Sequence, residues 1–264
     1  LFLLRKGQWQ EVADFREKLA VARALLHPPP LDLGRERRAA LGHPEADAAL
    51  CGGLLTGALH EVFAADSIAS AAASGFAIAL TLRSASRERE LLWIRQDFSA
   101  LEYGEISGSG FLEMGLDPRR LLMLRTANAV DALRAAADAL ACKALGAVIV
   151  EVIGMPKILD LVASRKLTLA AQAKGVMALL LRFNAAPRAS SAETRWLVKS
   201  AISEDSDEWG APRFDVTLAR NRHGQTGHWD MEWDCDDGIF RAPQKRAAYS
   251  GAVVSAPADR PAAA

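Results

Sequence analysis

The chain has 264 residues, half of them hydrophobic, with 32 basic and 32 acidic side chains. That length and composition suit one domain with appendages and a sizeable core, and the balanced charge excludes a protein that coats nucleic acid by charge alone. No apolar run reaches the roughly 20 residues that cross a bilayer, which excludes a helical membrane span.

Cys51, Cys142 and Cys235 form no C-x-x-C pair, which argues against a disulfide framework or a structural zinc site. They read as buried thiols in a reducing cytoplasm. The opening LFLLRKGQWQ has too short an apolar part for a signal peptide.

From Gln8 to Leu26, apolar Val12, Phe15, Leu19, Ala22 and Leu26 recur at helical spacing, and HPPP at 27–30 ends the pattern. Residues 1–40 are therefore expected to form an amphipathic helix and a Pro-rich linker ahead of a core domain at 41–240. A short helix is expected near Pro44 to Leu50. Strand-like runs then follow at 58–63, 90–95, 120–125, 146–152 and 175–183, with helical patterns between them near Ser67 to Ser84, Ala129 to Ala144 and Pro156 to Lys174. Short apolar strands separated by helices imply crossover connections and a mainly parallel sheet covered on both faces.

After Asn184 the pattern changes. TRWLVK (194–199), RFDVTLARN (213–221) and HWDMEWD (228–234) alternate polar with apolar residues around the turn HGQTG, as an antiparallel hairpin extending the sheet would. An acidic loop, SEDSDEWG at 203–210, interrupts them. Residues 241–264 are expected to form a flexible tail, rich in Ala, Pro and Ser from about Ala247.

In a sheet of this kind ligands sit beyond the carboxyl ends of the strands. The first such loop runs from Ala64 to Ser70, before an alanine-rich helix. It has the outline of a phosphate loop without the chemistry of G-x-x-x-x-G-K-[ST]: no glycine, no lysine, and Ala71 where a Ser/Thr would follow the lysine. A helix N-terminus alone, worth roughly half a unit of positive charge, is a weak substitute. Ser67 is expected to cap the helix. Asp97, after LLWIR, and Glu151, after AVIV, stand where a nucleotide hydrolase would want a water-activating and a metal-binding acid. Ser67, Ser70, Asp97 and Glu151 are thus positions of a vestigial nucleotide site.

His223 and His228 flank the hairpin turn near Cys235, but lack a compact ligand spacing. Trp196, Trp229 and Trp233 alternate along strands as packing residues do. Arg195, Lys199, Arg213, Arg220 and Arg222 gather on the C-terminal strands and are candidates for phosphate contact with DNA, weighed against a solvated face with acids nearby. No serine, histidine and acid arrangement suggests a nucleophilic hydrolase.

The order of these elements resembles the RecA recombinase core, with HEVFAADSIASA, WIRQD, GLDPRRLLMLR (115–125) and GAVIVEV at matching places from about Leu41 to Asn184. More closely, the chain resembles the ImuA family of damage-inducible mutagenesis proteins, sometimes labelled SulA-like. GALHEVF (57–63), LDLVASRKLTLAAQAKGVMALLLR (159–182), SAETRWLV (191–198) and APRFDVTLARNRHGQTGHWDMEWD (211–234) carry that likeness, and the last two lie outside what RecA supplies.

The resemblance implies a RecA-like three-layer fold and a non-catalytic role in SOS-induced translesion synthesis, with no cofactor and no resident metal. The implied partners are an ImuB-like Y-family polymerase homologue and an error-prone C-family DNA polymerase, with RecA itself and DNA as further candidates and no membrane. Two other readings remain open: a DNA-dependent ATPase of RecA type, and a SulA-type inhibitor of cell division.

Overall fold

The computed structural model describes residues 3–4, 38–202 and 210–243. The expected N-terminal helix, the HPPP linker, 203–209 of the acidic loop and the Ala/Pro/Ser-rich end lie outside the described residues. In chain order the first elements are β1 (Leu3–Leu4), β2 (Arg38–Ala39), α1 (Pro44–Ala49) and β3 (Leu54–Leu55). Next come β4 (Leu59–Ala64), α2 (Ser70–Ser84), β5 (Glu90–Gln96), α3 (Ser99–Tyr103), α4 (Gly108–Glu113) and β6 (Leu121–Thr126). Then follow α5 (Ala129–Leu140), β7 (Leu145–Ile153), α6 (Leu161–Lys174) and β8 (Met177–Phe183), and last β9 (Thr194–Ser200), β10 (Arg213–Asn221), β11 (Gly227–Asp234) and β12 (Ile239–Arg241).

Among the described residues, ten strands form one sheet in the order β1-β6-β5-β7-β8-β4-β9-β10-β11-β12. Every pair from β1 to β9 is parallel, and the last three pairings are antiparallel. This is the expected arrangement, a mainly parallel sheet with helices on both faces and a C-terminal antiparallel extension. Thr194–Ser200 still runs parallel to β4, so the direction reverses only at β10.

Alternation along the central strands divides the core. Trp93 faces one layer with Phe76, Phe111, Trp196, Phe214, Trp233 and Phe240, while Leu92 and Ile94 face the other with Leu133, Leu140, Val148, Val150 and Leu180. On the first face α2 buries Ala73, Phe76, Ala77 and Leu80 at helical spacing. The Phe76 ring lies 5.4 Å from Trp196, 5.7 Å from Phe214 and 5.2 Å from Phe240, so one helix residue ties the parallel core to the C-terminal strands. Trp196 and Trp233 are fully buried, and the Trp233 indole N–H donates to the Met114 carbonyl at 3.0 Å. They pack as the sequence suggested.

The helix boundaries differ from expectation for local reasons. Asn128 and Asp160 cap α5 and α6, their side chains accepting from the N–H groups of Asp131 and Ala163. That puts the start of α6 at Leu161 rather than Pro156. Its end is Gly175, in the left-handed conformation at φ 65°, and a Cβ on neighbouring Gly57 would stand 2.9 Å from the Gly175 Cα. The three thiols are also not alike: Cys142 is buried, Cys235 half-buried and Cys51 exposed. Cys51 sits outside the core because it follows the C-terminal end of α1, at φ 55°.

Candidate functional site: the carboxyl ends of the strands

The loop after β4 is stitched to β9 by a hydrogen bond from the Ala65 N–H to the Val198 carbonyl. Within it the Asp66 carboxylate accepts the Ile68 N–H at 3.0 Å, an Asx turn that holds Ser67 and Ile68 out in solvent. Helix α2 therefore begins at Ser70, with Ala69 at its N-cap and no side-chain cap. Ser67 does not cap it, because the turn at Asp66 delays the first helical residue. The one charge this loop presents is the acid Asp66.

Glu151 lies near the end of β7 and is completely buried. Its Oε2 accepts from the Arg95 Nε at 2.9 Å and from the Trp93 indole N–H at 3.2 Å. All three residues project from the first face of the sheet, Trp93 and Arg95 from β5 and Glu151 from the adjoining β7. Arg95, itself buried, also donates to the Gly104 carbonyl at 3.1 Å and approaches Glu105 at 3.8 Å. Glu105 in turn pairs with Arg125 of β6, so charges of alternating sign run from the core to the surface. The Tyr103 ring packs 4.8 Å from Phe183 beside this pair. Burial, with the charges of Glu102 and Glu151, pushes its phenol pKa up. Glu151 Oε1 is buried without a hydrogen-bond partner. Asp97 follows β5, its N–H bonded to the Thr126 carbonyl at 2.8 Å, and its neighbour Gln96 accepts the Ile153 N–H at 3.1 Å.

The basic candidates are engaged within the chain. Arg195 pairs with buried Glu61 at 2.7 Å and donates to the Arg188 carbonyl and the Ser190 hydroxyl. Arg220 donates to the Ser190 carbonyl at 2.7 Å and Arg222 to the Ser191 carbonyl at 3.1 Å. Three arginines thus staple the 184–193 crossover to the sheet. Burial, then the charges of Arg222 and Arg195, lowers the Arg220 pKa. Arg213 pairs with Glu232 at 2.8 Å and Lys199 with Asp215 at 3.1 Å.

Beneath the staple, the guanidiniums of Arg182 and Arg195 lie 5.4 and 5.6 Å from the Phe63 ring centroid. Arg182 donates to the carbonyls of Val152 and Gly154, and burial lowers its pKa to about 10. An adjoining cavity of about 20 Å³, lined by Glu61, Asp160, Ser164, Arg182, Arg188 and Ser190 among others, has room for one water.

His223, His228 and Cys235 do not converge. His223 pairs with Glu193, while His228 meets Thr217 at 3.0 Å. Burial and nearby acids raise the Cys235 thiol pKa. Asp215, His228 and Asp230 do bring one ligand atom each within 4.8 Å of one another on the exposed β10–β11 ladder.

Sequence reading missed Arg95, Trp93, Tyr103, Glu61 and Arg182. The available signal was a charge inside an apolar strand run, as in LLWIR, LHEVF and ALLLRF, because a buried charge needs a partner on a neighbouring strand. No family model matches this chain, and no curated protein matches it.

Proposed function

We propose that this chain is a non-catalytic RecA-like accessory protein of SOS-induced translesion synthesis in the cytoplasm, an adaptor acting with an ImuB-like Y-family polymerase homologue and an error-prone C-family polymerase. The observation that carries the non-catalytic part is the engagement of Glu151 by Arg95 and Trp93. A carboxylate held by a buried guanidinium is a poor metal ligand, since the cation must displace a charge that then has no partner. The loop after β4 adds no lysine and no glycine, and Asp66 would repel a triphosphate. The partner assignment rests on the resemblance of the chain to the ImuA family.

Pull-down of the tagged protein from DNA-damaged cells is expected to recover the Y-family homologue, and deletion is expected to lower induced mutation without lengthening cells. Filamentation on overexpression, with binding to the tubulin-like division protein, would favour the SulA-type reading instead. Retained acids at Asp97 and Glu151 favour the ATPase reading only if magnesium nucleotide binds.

A further inference from the structure

Four of the large apolar side chains exposed among the described residues belong to α6 and its lead-in: Ile158 at 46%, Leu161 at 53%, Val162 at 60% and Leu169 at 54%. The opposite side of the helix is buried through Ser164, Leu167 and Ala171. At about 100° per residue, Leu161, Arg165, Leu169, Val162 and Lys166 follow one another around the outward side. All are exposed. Arg165 falls between two leucines, and Lys166 lies just past Val162. Lys157 adds a third exposed base, while the side chain of Asp160 is used in capping the helix. The face is apolar, cationic and without an acid of its own along the helix.

We propose that this outward face of α6 docks an acidic amphipathic helix of a partner protein, a step that rests on the adaptor reading. Helix in groove or on helix is a common mode of recognition, with apolar anchors at helical spacing. Arg165 lies within the apolar stripe and Lys166 at its edge. A bilayer would have to draw Arg165 in with the leucines that flank it, whereas carboxylates on a facing helix can meet both bases.

The test is titration of the full-length chain with the purified Y-family homologue, at two salt concentrations, comparing wild type, Leu161→Asp and Arg165→Glu/Lys166→Glu. Circular dichroism checks that each variant is folded. Leu161→Asp is expected to abolish binding, and the charge reversal to weaken it roughly tenfold and flatten its salt dependence. Both variants binding like wild type would overturn the proposal and leave the adaptor reading standing. Tighter binding by the charge-reversed variant would overturn the acidic character of the partner. No binding by wild type would remove the adaptor reading as well. Self-association in sedimentation, or binding to vesicles with anionic lipid, that is lost in Leu161→Asp would assign the face to a second copy or a membrane and overturn it too.

Discussion

Glu151 and Arg95 face one another across adjacent parallel strands, 2.9 Å apart, and both are almost completely removed from water. Removing one partner of such a pair leaves a buried charge, whereas replacing both with apolar groups can be nearly neutral. Arg95→Met alone is therefore expected to cost about 3–5 kcal/mol in urea unfolding. Adding Glu151→Leu should recover most of it. A double variant no more stable than the single one would show that the pair is not coupled.

Arg195 behaves similarly, because Glu61 is buried beneath it and the 188–190 backbone hangs on it. Arg195→Ala should destabilise the protein by about 3 kcal/mol and raise proteolysis within 184–193. Lys199→Ala removes a half-exposed ion pair with Asp215 and should change stability by less than about 1 kcal/mol. Equal effects from the two changes would contradict a staple at Arg195. These costs also set the control for any DNA-binding assay: loss of binding in Arg195→Ala counts as contact only if the variant remains folded.

His60 supplies a pH dependence. Its Nε2 faces the Leu55 carbonyl and its Nδ1 the Thr194 hydroxyl, which itself accepts from the Trp196 indole. The ring is neutral there, and burial lowers its pKa from 6.5 to about 4. The unfolded chain takes up this proton near 6.5 and the folded one does not. The stabilisation is complete above about 6.5 and is lost as pH falls to about 4, for about 3 kcal/mol in all. Urea midpoints between those limits should fall less steeply in His60→Gln than in wild type, after allowing for a lower stability at neutral pH. An unchanged slope would mean that His60 titrates normally.

Phe76→Ala opens a space between α2, β9, β10 and β12 and is expected to cost about 3–5 kcal/mol. Hydrogen exchange should show β10–β12 losing protection before the parallel strands. Uniform loss across the sheet would show that the two parts unfold together without depending on this ring.

Strands β4 to β8 were legible because each is a short apolar run, whereas β9 alternates polar with apolar residues like an antiparallel strand although it pairs parallel to β4; the ends of β10 coincide with RFDVTLARN. The start of α2 was not, because the choice between Ser67 and Ser70 depends on an Asx turn that the alanine-rich sequence does not announce. The acids at 97 and 151 could be placed at strand ends from order alone. What holds Glu151 could not, since Arg95 is 56 residues away and meets it only through the order of β5 and β7 in the sheet. The basic cluster was visible as composition, while its attachment to the 184–193 crossover depends on carbonyls that have no sequence signature.

The most direct measurement is equilibrium titration of the purified protein with ATP and Mg²⁺ from micromolar to millimolar nucleotide. A pseudo-ATPase with Glu151 held by Arg95 predicts no saturable binding across that range, in wild type and in Glu151→Ala alike. Saturable binding by wild type that disappears in Glu151→Ala would contradict it and make this chain a divergent nucleotide-driven motor or switch.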